Sequence, residues 1–231
     1  MSTITVSPTM IHGQVAPGFE PIAAELRLTN KIGFWSALVA FGASVGFDVA
    51  QILQVVGFVT YPLDAILIYG FSLGIPIPFL LAMLALHYSV PNDKKIWTHA
   101  ALLFTVMYAM YVTLNYVVQL ATVIPMTLRG TLDEIRVLDQ TPHSLFWDVD
   151  ALGYIFMGIA TLFAVPVFAK QRWERWVRWF FLANFLFTPV VALVYFYPTF
   201  STTLVLLASP WMITASGSLF VLALFFKRQG A

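Results

Sequence analysis

Six long apolar stretches divide this chain, and its twelve Lys and Arg residues fall almost entirely on alternate connections between them. The stretches run at about 33–58, 64–88, 96–123, 146–168, 178–197 and 202–226. Crossing about 30 Å of hydrocarbon takes a helix of about 20 predominantly apolar residues, and each stretch is long enough. Arg27, Lys31, Lys94, Lys95, Lys170, Arg172, Arg175, Arg178, Lys227 and Arg228 lie in the N-terminal arm, the second and fourth connections and the C-terminal tail. The first, third and fifth connections hold only Arg129 and Arg136. Cations accumulate on the cytoplasmic side of spanning segments, so this alternation implies six crossings with both termini in the cytoplasm. Backbone groups in lipid find no water, which leaves helices as the form for segments of this length. The expected fold is all-α: a polytopic six-transmembrane-helix bundle in a plasma membrane.

Composition agrees. Hydrophobic residues make up 60% and charged residues 10%, against about 45–50% and 25% in soluble domains. The net charge of +1 and the placement of the cations at a membrane boundary argue against a nucleic-acid partner. The lipid bilayer is the expected partner. The absence of cysteine excludes disulfides and thiolate metal sites. The expected organisation is a flexible arm over 1–31, a transmembrane domain over 32–226 and a short tail over 227–231. Glu20 to Asn30 suits a short interfacial helix with Pro21 in its first turn. Arg27 is the first cation, and the apolar run after it is too long for the core of a cleavable signal sequence.

The connections at 60–63 and 198–201 are short enough to force antiparallel neighbours. The connection at 124–145 is longer. Its Leu132–Leu138 segment suits an amphipathic turn or two, and long ordered loops often serve as lids or binding elements. Thr141-Pro142 has the form of a helix start. Trp173, Trp176 and Trp179 recur every third residue among arginines, the pattern of a headgroup-level anchor. Gly42 and Gly46, and Gly70 and Gly74, form two small-xxx-small pairs suited to close helix packing. Gly74-Ile75-Pro76-Ile77-Pro78 breaks the second span. Pro189 in the fifth span would be its counterpart if the bundle were two inverted triplets.

Polar residues inside the spans are the candidate site. Ionisable groups in hydrocarbon are expensive and point to function by default. Asp48 and Gln51 lie in the first span, and Asp64 opens the second. Tyr111, Asn115 and Gln119 share one face of the third by their spacing of four, as do Asp150 and Tyr154 in the fourth. All fall toward the extracytoplasmic ends. The expectation is an outward-facing polar and acidic pocket walled by spans 1 to 4. Asp48, Gln51, Tyr111, Asn115, Gln119, Asp150 and Tyr154 would be its ligand-binding residues, serving a cation, a proton or a small polar solute. The alternative is interhelical hydrogen-bond glue, with Asp64, Asp148 and Asp150 marking helix starts.

Other chemistry is thinly represented. His12, His87, His99 and His143 lack metal-ligand spacing, although His87 and His99 lie at similar depth. His143, Asp148 and Asp150 are the residues an intramembrane hydrolase would use. No nucleotide-binding glycine pattern, nucleophile elbow or intramembrane lysine is present. The sequence therefore calls for no catalytic residue, metal or cofactor.

Asn115-Tyr116-Val117-Val118-Gln119, Pro142-His143-Ser144-Leu145-Phe146-Trp147, Gly153-Tyr154-Ile155-Phe156-Met157-Gly158 and Glu174-Arg175-Trp176-Val177-Arg178-Trp179 resemble segments of uncharacterised bacterial six-span membrane proteins. The resemblance covers about a third of the chain. It implies a bacterial inner-membrane protein and carries over no catalytic or binding role. The functional expectation is a small transporter or ligand-binding membrane protein. A non-enzymatic assembly or regulatory subunit, with a membrane protein as partner, is the second reading. The hydrolase is the third.

Overall fold

A computed structural model describes residues 19–170 and 173–230 of the chain. Residues 1–18 of the flexible arm expected over 1–31 lie outside them. Six of the described helical segments are long and apolar enough to cross a membrane. The first is α1 (Phe19–Val55). The second is broken into α2 (Leu63–Leu73) and α3 (Pro76–Ser89). The third is α4 (Lys95–Val118), which runs through a π-helical turn at Gln119–Val123 into α5 (Ile124–Leu128). Next come α6 (Leu145–Ala164) and α7 (Glu174–Phe196). The sixth joins α8 (Thr202–Ala208) to α9 (Pro210–Gln229).

Each expected span has its helix, and the differences lie at ends and breaks. No separate interfacial helix occupies Glu20 to Asn30. Those residues are the first turns of α1, which is 37 residues long. No proline or glycine separates Pro21 from Gly33, so nothing interrupts the hydrogen-bond ladder. The break in the second span falls as expected. Gly74 and Ile75 donate to Phe71 and Ser72 at 3.0 and 3.2 Å, closing three-residue turns before Pro76 starts α3. By contrast, α7 continues through Pro189, so the matching break required by inverted triplets does not form.

The helices pack as a closed ring: α1 on α3, α3 on α4, α4 on α6, α6 on α7, α7 on α9, and α9 back on α1. Contacts between connections define the two ends. Lys94 Nζ donates to the Val167 carbonyl at 2.6 Å and Arg178 to that of Val165 at 3.0 Å. Both cations thus bond carbonyls of the 3₁₀ turn Val165–Val167 that follows α6, where positive charge is favoured. The Arg228 guanidinium lies 4.3 Å over the Trp173 ring, and Ser89 bonds Asn30. The second and fourth connections, the early part of α1 and the end of α9 therefore share a basic end. At the opposite end Gln54 meets Asp64 and Tyr61 meets Ile124.

The two halves of the ring are filled differently. Toward the basic end Phe79, Leu86, Phe168, Phe181, Leu219, Leu222 and Phe226 are fully buried and close the axis. Close approach there needs a small residue on α6, because a Cβ on Gly158 would overlap the Thr188 hydroxyl of α7. Of the two small-xxx-small pairs, only half of each serves packing. Gly46 faces the Phe71 ring and Gly74 faces Ala43, whereas Gly42 and Gly70 face open space.

Candidate functional site

The opposite half of the ring is hollow. Its geometry starts from the N-terminus of α6. Ser144 is extended and its Oγ accepts from the Trp147 N–H at 3.2 Å. The cap is therefore Ser144, three residues beyond the expected cap at Thr141. Thr141 and Pro142 belong to a turn in which Ser144 N–H bonds the Thr141 carbonyl and His143 is left-handed at φ 68°. From this start, spacings of three and four place Trp147, Asp150 and Tyr154 on the face directed to the bundle axis. Asp148, two residues from Asp150, is exposed in the first turn, where a carboxylate suits the helix dipole.

Asp150 is 2% exposed. Asn115 Nδ2 donates to its Oδ1 at 3.0 Å and the Tyr195 hydroxyl to its Oδ2 at 2.8 Å. Asn115 also donates to Gln140 Oε1 at 2.9 Å and accepts from Gln119 Nε2 at 3.5 Å. Gln119 reaches further because of the π turn. Pro125 has no N–H, so the α-helical ladder cannot close past it. Ile124 instead bonds the Gln119 carbonyl, five residues back. Gln119 donates its amide to the Leu138 carbonyl at 2.7 Å and accepts from the Gln140 N–H at 3.3 Å.

These bonds dock the connection between α5 and α6 onto the bundle. The amphipathic segment expected at Leu132–Leu138 forms turns of 3₁₀-helix there. Burial pushes the Asp139 carboxyl above its usual range, opposed by the Gln140 N–H and the nearby Arg136 charge.

A cavity of about 590 Å³ opens between the helices at this end. All six spans contribute to its wall: Gln51 and Gln54 from α1, Tyr69 from α2, Tyr116 from α4, Asp150 and Tyr154 from α6, Tyr195 from α7, and Trp211 from α9. Trp147 and Gln140 complete it. The Tyr116 and Tyr154 hydroxyls bond each other across the wall. On the polar rim, Gln51 donates to Gln54 at 3.0 Å and Gln54 to Asp64 at 2.7 Å. Part of the wall is apolar, with Ile52 and Val55 of α1, Val56 just beyond it, and Val205 and Leu206 of α8, and α8 packs chiefly on α7.

The residues expected at the site divide into four groups. Gln51, Asp150 and Tyr154 line the cavity. Asn115 and Gln119 are fully buried behind the wall and hold it in place. Tyr111 does not reach it, because its ring packs on Phe156 at 5.5 Å. Asp48 is separate. Its Oδ2 accepts from Ser216 Oγ at 2.6 Å, and Ser216 meets Ser44 Oγ at 2.7 Å. It borders a void of about 10 Å³ on the far side of Tyr154 and Trp211. The expected pocket of spans 1 to 4 is thus corrected to a six-span cavity whose carboxylate is Asp150. Tyr69, Tyr116, Gln140, Trp147, Tyr195 and Trp211 are wall residues that the sequence did not single out.

The arrangement can bind. One carboxylate accepts hydrogen bonds, several hydroxyls and amides are within reach of the lumen, and aromatic and aliphatic side chains share the remaining wall. No group of three His, Cys, Asp or Glu residues that could hold a metal ion occurs among the described residues. His87 and His99 meet edge to face near the basic end with ring centroids 5.8 Å apart, and His87 Nδ1 meets Thr98 Oγ1 at 2.8 Å. No protein-family model matches the chain, and no curated protein or solved structure resembles it significantly.

Proposed function

We propose that this is a small integral membrane transporter or ligand-binding protein that crosses a plasma membrane six times. Its basic end faces the cytoplasm, and its cavity faces outward to receive a cation, a proton or a small polar solute. One observation carries the reading. A cavity of about 590 Å³ ends on the buried Asp150, and no lysine or arginine lines it. A carboxylate within the bilayer costs several kcal/mol unless a partner compensates it. The cation alternation supports the orientation.

The competing readings draw less support. An assembly subunit was suggested by the small-xxx-small pairs, but Gly46 and Gly74 are occupied within the chain, which leaves only Gly42 and Gly70 facing open space. A hydrolase would need His143 and Asp148 beside Asp150, and both are exposed in the turn and first helical turn before it.

The test is a ligand screen on purified protein in nanodiscs, using inorganic cations, organic ammonium ions and neutral polar solutes. A ligand at about 100 times its Kd stabilises the folded state by about 2.7 kcal/mol, which raises Tm by several degrees. At least one class should raise the Tm of the wild type and not that of Asp150→Asn. The proposal fails if no class shifts Tm, or if every shift survives both Asp150→Asn and Trp211→Ala.

A further inference from the structure

We propose that the ligand is an amphiphilic organic cation, an ammonium group carried on an apolar body, with the charge seated at Asp150. The inference rests on the cavity being a ligand site, as proposed above, and specifies the chemistry of what fills it.

The first argument is charge. Each Asp150 oxygen takes a hydrogen bond from a neutral donor, Asn115 on one side and Tyr195 on the other. An ionised carboxylate offers about four acceptor positions, so lone pairs remain free. The lining includes no Lys, Arg or His side chain that could neutralise the charge. Where the carboxyl stays ionised and does not take up a proton, the compensating charge has to arrive through the lumen.

The second argument is the wall. A hard metal ion requires about six oxygen ligands. Asp150 is the one carboxylate among the lining residues, and the wall is otherwise largely apolar, aromatic rings alternating with aliphatic side chains such as Ile68, Val191 and Val194. Trp147 and Tyr195 pair at 4.5 Å between centroids, Tyr154 and Trp211 at 4.7 Å, and Tyr69 and Tyr116 at 5.8 Å. Three aromatic pairs around one carboxylate form a cage that favours a weakly hydrated ammonium over a metal ion, since ring faces attract cations without supplying ligand oxygens. Tyr116 and Tyr154 join their hydroxyls in one hydrogen bond, and both rings line the cavity.

The third argument is size and access. An ammonium group alone leaves most of about 590 Å³ unfilled, and small-molecule sites span about 300–1,000 Å³. The remaining space is walled by apolar side chains, among them Ile52, Val55, Val191, Val205 and Leu206. The apolar part of the ligand packs against them.

The test is equilibrium binding of benzyltrimethylammonium to the full chain in nanodiscs, read by tryptophan fluorescence. Sodium chloride and benzyl alcohol serve as competitors. Benzyltrimethylammonium should bind saturably, Asp150→Asn should weaken it at least tenfold, and Trp211→Ala should weaken it about fivefold by removing one ring of the cage. Neither competitor should displace it at equal concentration. Thermal melts of both variants confirm that they are folded, and the Trp211 variant leaves the carboxylate network intact. Asp150-dependent binding of sodium or benzyl alcohol, with no binding of benzyltrimethylammonium, overturns this inference and leaves the ligand-site reading standing. Benzyltrimethylammonium binding unchanged in Asp150→Asn also overturns it, because the carboxyl would then carry no charge in the site. Failure of every probe to bind removes both.

Discussion

Asp150 is held by neutral donors, Tyr195 and Asn115, and Asn115 also ties that carboxylate to its surroundings. Its amide spans Asp150, Gln140 and Gln119. Replacing it with leucine removes all three bonds and leaves two acceptors and a donor without a partner. Hydrogen bonds in membrane bundles average about 0.6 kcal/mol, but an orphaned buried group costs about 1–3 kcal/mol. Asn115→Leu should therefore destabilise the bundle by about 1–3 kcal/mol in equilibrium unfolding from micelles. Asp150→Asn should cost less, since an amide there still accepts from Asn115 and can donate to the Tyr195 oxygen. If Asn115→Leu unfolds like the wild type, the network does not hold the site. At this scale the sequence was partly legible. Asn115, Gln119, Asp150 and Tyr154 announce themselves because amides and carboxylates are rare in lipid-facing helices. The aromatic wall does not: Tyr69, Tyr116, Tyr195 and Trp211 look like any residues of an apolar span. Asp48 misled for a different reason. Its partner Ser216 lies 168 residues away on α9, and helical spacing carries no information about such a pair.

Among the elements, the π turn at Gln119–Val123 does the most to shape the site. It lets Gln119 reach beyond the end of the third span and hold the connection at Leu138 and Gln140. The connection then supplies Gln140 to the cavity wall. A glutamine near the end of a span is visible in sequence. The turn is less so, because Pro125 permits a kink, a stop or a π bulge with equal ease. The same ambiguity made Pro189 look like a break where α7 simply continues. Gln119→Leu should release the connection without unfolding the bundle. Removing two bonds worth about 1 kcal/mol each raises the locally open population about thirtyfold. Trypsin should then cut after Arg136, which is exposed, at least fivefold faster than in the wild type, with the products assigned by mass spectrometry. An unchanged cleavage rate would mean that the connection is docked by other contacts.

For the whole molecule, the ring is sealed over one half and open over the other, and the cation pattern assigns a direction to that asymmetry. Buried Phe79, Phe168, Phe181 and Phe226 close the axis toward the basic end, so a ligand in the cavity communicates with the opposite side. If the basic end is cytoplasmic, the structure is outward-open. Reversed orientation would make the same cavity a cytoplasmic site and change the meaning of every ligand proposed for it. The chain has no cysteine, so single introduced thiols report side without background. Asp93, Glu134, Thr199 and Gln229 are exposed. Asp93 and Gln229 lie at the basic end, and Glu134 and Thr199 at the other. In intact cells a membrane-impermeant maleimide should label Glu134→Cys and Thr199→Cys and spare Asp93→Cys and Gln229→Cys until the membrane is permeabilised. The opposite pattern would invert the protein. The uneven charge would then need a cause other than insertion, and Asp150 would be presented to the cytoplasm, where its ligand would have to be sought.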